Sequence, residues 1–274
     1  MSTTALAPVA RQLHARDLPD SEQYPLWKIL AIWAASAIPM GLSLWWITPT
    51  FLSGRMEVPG VGYLLLATAG LVWQSCLAFW LLRREVRPLT WAGLRRRLWL
   101  GAPMSPRSGR TGWRFLWWAV VVALVYLAIG MSGVLEPLND ALVNAVPALA
   151  APEWGLIENL AVPQVEGQWW LMGVLVVLIL GNYLVGEELI FRGVLLPKMR
   201  GAFGRWDVLA NGVLFATYHL HVIWAVPAML VTDWIYAYLT KRYRSYWMGV
   251  VFHGLDALFL LVLFPLAILG LIEP

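Results

Sequence analysis

The sequence predicts an all-α, polytopic membrane protein with about seven transmembrane helices, leaving room for an eighth, that enclose a polar cavity within the bilayer. Three observations lead there. Only 13% of the 274 residues are charged and 60% are hydrophobic, where a soluble domain carries about 25% charged residues. Apolar runs of spanning length recur along the chain, a span needing about 20 mostly apolar residues. The eighteen tryptophans suit a chain that crosses two membrane–water interfaces.

The elements follow in order. Residues 1–25 form a polar arm, expected on the cytoplasmic side, without the basic-then-apolar order of a secretory signal. The rest, 26–274, reads as one transmembrane domain with spans at 26–48, 61–82, 115–135, 169–196, 208–222, 224–240 and 247–269. An eighth element could lie in 138–162, but Pro147, Pro152 and Pro163 interrupt it, so short interfacial helices are expected there. The stretch 89–101 reads either as an amphipathic helix on the cytoplasmic leaflet, with Leu94 and Leu98 turned to lipid, or as a solvated basic loop. The one cysteine, Cys76, allows no internal disulfide and is expected to be a packing residue. No repeat is evident, which weakens an inverted-repeat transporter reading.

Charge gives an orientation. The chain carries 20 Lys and Arg and a formal charge of +4. Eighteen of them lie at one end: Arg11, Arg16 and Lys28, nine arginines in the loop 83–114, then Lys198, Arg200, Arg205, Lys241, Arg242 and Arg244. Arg55 alone falls in an opposite loop, and 136–168 holds five acidic residues and no basic one. This is a topology signal, with contacts to anionic lipid, rather than a nucleic-acid surface. It puts the N-terminus and the loop 83–114 in the cytoplasm and 136–168 outside it, in a bacterial inner (plasma) membrane.

Ionisable groups inside the spans need a separate account, since each costs roughly 2.5–3.5 kcal/mol at a helix centre. In GEELIFRG (186–193), Glu188 and Arg192 are four apart and in the favourable order for an ion pair. Glu187, about 100° around the helix, is left without that partner. His219 follows Phe215 by four residues in LFATYHLH (214–221). In VVFHGLDALF (250–259), His253 precedes Asp256 by three. Counted at ~1.5 Å per residue, Glu187, His219 and His253 lie roughly 13, 16 and 9 Å from the cytoplasmic edge. They can share one cavity, expected to open to the cytoplasm. Asp233 is expected to be structural or cavity-lining.

A carboxylate and a neutral imidazole around one water make a general base and its orienting partner, with a second imidazole placed to stabilise an oxyanion. The same Glu187, His219 and His253 could instead hold a divalent metal such as Zn²⁺ with a water in the open position. Spacing alone leaves both open. Buried Glu, Asp and His also build proton relays, so a proton-coupled transporter is a rival. A non-catalytic membrane binding or immunity-type protein is another.

EELIFR (187–192) resembles the EExxxR signature of the CPBP family, the CAAX-protease and bacteriocin-processing membrane proteins. FATYH (215–219) resembles its FxxxH motif, and His253 stands where the third motif, a histidine followed one turn later by asparagine, would fall. The resemblance covers roughly 169–265. It implies an intramembrane endopeptidase, related to enzymes that remove the C-terminal tripeptide from prenylated proteins. Glu187 then resembles the catalytic glutamate, His219 its water-orienting partner and His253 an oxyanion-side residue, with Glu188, Arg192 and Phe215 in support. The implied substrate is a membrane-anchored protein or peptide, with or without a lipid modification. One departure stands out: the family's asparagine position is Ala257 here. Asp256 is the nearest substitute, yet an ionised aspartate accepts hydrogen bonds and does not donate them.

Overall fold

The computed structural model describes residues 22–272, so positions 1–21 of the expected arm, with Arg11 and Arg16, lie outside the described residues. Among the described residues the protein is all-α; an isolated bridge between Met104 and Thr111 is the one extended pairing. The helices are α1 Leu26–Leu42, α2 Pro59–Glu85, α3 Trp91–Arg97, α4 Trp117–Met131, α5 Glu136–Ala145, α6 Trp170–Leu180, α7 Asp207–Tyr218, α8 Val226–Thr232, α9 Trp234–Tyr243, α10 Tyr246–Gly254 and α11 Ala257–Ile268. α1 continues into wider π-helical turns through Ser43–Leu52, and α6 into similar turns through Gly181–Val185 and Leu189–Leu195.

Five segments are long and apolar enough to cross a membrane: Leu26–Leu52, Pro59–Glu85, Trp113–Met131, Trp170–Lys198 and Tyr246–Ile268. They coincide with the first four expected spans and the last. The expected spans 208–222 and 224–240 come out differently. Arg200–Tyr218 and Leu220–Thr232 meet at a 109° bend and together make at most one further span, broken or re-entrant. The rest of the expected sixth span is the separate helix α9, which packs on α7 and α10. The break falls at His219, whose backbone leaves the helix (φ −73°, ψ 43°). Hydropathy is blind to such a turn, because both arms are apolar. The interrupted region around 138–162 contains α5 and a series of short 3₁₀ turns, as its prolines require.

The arginine-rich end is held by a carboxylate hub. Glu85, at the end of α2, receives Arg97 Nε at 2.8 Å, Lys198 at 3.4 Å and Lys28 at 3.6 Å, and the Tyr24 hydroxyl donates to it. Burial pushes the Tyr24 phenol above its ordinary value, so it remains a neutral donor. Arg97 reaches further, donating to the carbonyls of Gly193 and Val194 at 2.9 Å each. It thereby satisfies carbonyl groups near the end of the fourth span, which have no water to meet. This corrects the expectation for 89–101. Leu98 is buried and Leu94 packs on the core, while Leu89 and Trp91 are exposed. Cys76 is a second correction: it is exposed on α2 and does not serve as a packing residue.

Candidate active site

Glu187 is the first residue after a break in the fourth span. Gly186 leaves helical geometry (φ −105°, ψ −92°) while its N–H still bonds the Gly181 carbonyl at 2.8 Å. A Cβ at Gly186 would strike that carbonyl and come within 3.2 Å of the Leu71 carbonyl of α2. Glycine therefore lets α2 and the broken span touch backbone to backbone. The Tyr246 hydroxyl donates to the Leu184 carbonyl, which the irregular winding leaves available. The continuous helix expected over 169–196 is thus interrupted, and both carboxylates sit at the start of a new helical stretch, where backbone N–H groups favour negative charge.

The two glutamates divide as the sequence suggested. Glu188, fully buried, meets Arg192 Nε at 3.4 Å and His253 Nδ1 at 3.2 Å through the same oxygen. Arg192 is also fully buried, and its nitrogens make no hydrogen bond among the described residues. Aromatic faces take their place: the guanidinium lies 3.8 Å from the Phe215 ring centre and 4.6 Å from that of Tyr236. Such cation–π contacts are worth about 2 kcal/mol or more when desolvated. Phe215 is thus part of the cage that makes an intramembrane arginine tolerable. Gly249 of α10 completes the packing, because a Cβ there would collide with Glu188 Oε2.

Glu187 has no lysine or arginine partner among the described residues. The Tyr218 hydroxyl donates to its Oε1 at 3.0 Å, and Gln74 Nε2 donates to that hydroxyl at 2.7 Å. Asn182, with its amide nitrogen turned inward, donates to Oε1 at 2.7 Å and Oε2 at 3.0 Å. The carboxylate is therefore fixed by neutral donors alone. It borders a cavity of ≈ 190 Å³ walled by Met40, Tyr63, Leu64, Leu71, Trp154, Leu160, Asn182 and His221.

His219 stands at the bend with Nδ1 2.8 Å from the Phe215 carbonyl. A carbonyl only accepts, so Nδ1 carries the proton and Nε2 presents a lone pair. His253 is edge-on to Tyr183, Tyr236 and Phe215, with ring centres 4.6, 5.0 and 5.8 Å away. The Phe215 ring is also 4.8 Å from His219, and the Tyr218 ring 4.9 Å from it. Glu187, His219 and His253 are therefore gathered around one aromatic pair, Phe215 and Tyr218. Asp256 lies in the turn after α10, half-buried, its N–H bonding the His253 carbonyl at 3.1 Å. The side chain that holds His253 is Glu188. Asp233 is buried against Tyr126 (3.4 Å) and Thr232 (3.1 Å), which suits a structural residue.

Among the described residues no group of three His, Cys, Asp or Glu side chains is arranged to hold a metal ion. Nδ1 of His219 meets a carbonyl and Nδ1 of His253 a carboxylate, the partners that orient an imidazole, and each Nε2 is left open among those residues. Sequence reasoning missed Tyr218, Asn182, Gln74 and His221. Gln74 and Asn182 were legible as amides inside apolar runs, and Tyr218 and His221 lie within the quoted LFATYHLH.

Of the three groups expected to share one cavity only Glu187 borders it, with His221 as the lining histidine, while His219 and His253 lie on the aromatic pair behind the carboxylate. A multi-pass membrane protein with a carboxylate at an intramembrane cavity and two imidazoles gathered near it is the class that fold and site define. A family model described as type II CAAX prenyl endopeptidase, Rce1-like, matches residues 167–259. The match covers about a third of the chain and agrees with the resemblance of EELIFR and FATYH to the CPBP, or CAAX-protease, family, which supports an intramembrane endopeptidase generally. No curated protein and no solved structure matches the chain.

Proposed function

We propose that the protein hydrolyses a peptide bond near the membrane end of a membrane-associated protein, with Glu187 and His219 activating the water. The observation that carries this is the contrast at 187 and 188. Glu188 takes the arginine and a histidine, whereas Glu187 borders the cavity held only by neutral donors. A carboxylate needed for structure would be paired; a base must be free to change protonation.

In this reading a water sits between Glu187 and Nε2 of His219. Glu187 takes a proton from it, and the oxygen attacks the scissile carbonyl carbon. The tetrahedral oxyanion is met by Nε2–H of His253 in its protonated form, with Nδ1–H directed to Glu188. As the C–N bond breaks, Glu187 returns its proton to the departing amine, leaving a carboxylic acid and an amine; the acid then ionises and its proton leaves with the products. The Tyr218 and Asn182 donors keep the carboxylate aligned through the cycle. All steps run through the chain's own side chains, so activity is expected to survive exhaustive chelation. The family's prenylated substrates suggest a lipid-anchored target.

The test is a quantitative map of protein C-termini in host membranes, comparing wild type with Glu187→Gln at matched expression. Shortened termini present only with wild type are expected, and the peptides would identify the substrate and any lipid anchor. Unchanged termini alongside a clear mutant phenotype would favour the binding or proton-coupled transport readings.

A further inference from the structure

A second cavity, of ≈ 560 Å³, lies at the arginine-rich end and shares no residue with the candidate active site. Five cations line it, Lys28, Arg87, Arg96, Arg97 and Lys198, against two carboxylates, Glu22 and Glu85. Three of the five converge on Glu85 alone. Arg97 has no further donors to give, since its Nε holds Glu85 and its other nitrogens hold the Gly193 and Val194 carbonyls. The lysines differ. Each ammonium has three N–H donors, and Lys28 and Lys198 share one carboxylate and rest on the Tyr24 ring, 3.8 and 4.9 Å from its centre. The Lys198 side chain is only 7% exposed, so water does little to satisfy it. Thr90 adds a neutral donor to the wall: its Oγ1 accepts the Gly93 N–H at 3.2 Å, which leaves the hydroxyl proton to give. The cavity thus holds more positive charge and more donors than its own carboxylates use, the condition that draws an anion.

Arginine, lysine and hydroxyl donors converging in one cleft suit the oxygens of a phosphate group. The surroundings say what carries it. Trp27, Leu89 and Trp91, chain neighbours of the lining residues Lys28, Pro88 and Thr90, are 70, 57 and 67% exposed. Exposed indoles of this kind mark a membrane–water interface, and Leu30 and Ile38 continue the exposed apolar face along α1. A free phosphate ion has no use for that face, whereas a phospholipid has a part for each surface. A choline or ethanolamine head would bring its own cation among five others. We infer that this cavity binds the phosphate headgroup of an anionic phospholipid, with its acyl chains against α1. The headgroup bridges four elements: Lys28 of α1, Arg87 after α2, Arg96 of α3 and Lys198 at the end of the fourth span. Bound there, it adds to the hub that holds the end of the helix on which Glu187 sits.

The test is thermal melting of the delipidated full chain in a neutral detergent at fixed ionic strength. Short-chain phosphatidylglycerol, phosphatidylcholine of the same chain length, or inorganic phosphate is added. Phosphatidylglycerol is expected to raise the melting temperature by roughly 5–10 °C at ~100 times its dissociation constant, with the other two leaving it nearly unchanged. Arg87→Gln with Arg96→Gln, at two exposed positions, should abolish most of the shift, and each single substitution part of it. Arg83→Gln with Arg95→Gln removes the same charge outside the cavity and should keep the shift. No shift with phosphatidylglycerol would overturn the inference, as would an equal shift with phosphatidylcholine, because acyl chains alone would then be bound. An equal shift with inorganic phosphate would assign the cavity to the free ion and overturn the lipid. Equal loss in both double variants would overturn the site, leaving only overall charge. Melting needs no hydrolysis, so a failure here leaves the proposed activity standing.

Discussion

The segments Trp113–Met131 and Trp170–Lys198 are equally apolar over their best windows, yet 11% of one window is buried and 56% of the other. The first is an outer wall. Val121, Leu124 and Val125 of α4 face outward, and Ala119 and Ala123 touch the core. The second is broken at Gly186 and wound irregularly on both sides; before the break Val176, Val177 and Leu180 still face outward, and from Gly186 to Lys198 every residue is buried. Hydropathy sees only that both can cross. What separates them is where polar groups must be kept from lipid, because a buried Glu or Arg needs partners on every side.

That contrast can be broken by design, starting with the largest effect. Glu187→Gln is expected to cut cleavage by ~10²–10⁴-fold while the protein accumulates normally, read as product termini per unit of folded protein. Arg192→Leu strands Glu188 and the aromatic cage. Removing one partner of a buried pair costs about 3–5 kcal/mol, so detergent-solubilised protein should unfold at markedly lower temperature. Normal melting would mean that Glu188 is satisfied without the arginine. Gly186→Ala forces a methyl against the Gly181 carbonyl, and overpacking of this kind costs about 1–3 kcal/mol. Here melting temperature and cleavage should fall together. Tyr218→Phe deletes a hydrogen bond to a carboxylate, worth about 1.5–3 kcal/mol, and strands the buried Gln74 amide at about 1–3 kcal/mol, so turnover should drop ~10–100-fold and the melting temperature should fall with it. Leu124→Ala in the outer wall should move stability by no more than about 0.5 kcal/mol; a larger shift would mean that α4 is covered by another protein.

How much of this was legible depends on the kind of signal. Runs of apolar residues placed five spans to within a few residues at each end, because crossing length is a property of composition. The Glu188–Arg192 pair was legible because helical spacing puts i and i+4 on one face. The bend at His219 was not, since no proline or glycine marks it and both arms are apolar. Leu94 and Leu98 misled for a related reason: a stripe of leucines beside arginines looks the same whether it meets lipid or protein, and only Arg97 reaching the Gly193 carbonyl decides the matter. Tyr218 and Asn182 carry a message only in three dimensions, once Glu187 is seen between them.

The bend at His219 has one more consequence. In an unbroken helix the Phe215 carbonyl would accept the N–H of residue 219, but that N–H turns to Ala216 instead, at 3.2 Å. The vacated carbonyl takes the imidazole Nδ1. The ring's proton is thus assigned by main chain, an atom that every amino acid supplies alike. A scan that replaces neighbouring side chains one at a time would pass over this control. An amide-to-ester exchange at the 215–216 linkage, which weakens the carbonyl as an acceptor without touching a side chain, would reach it.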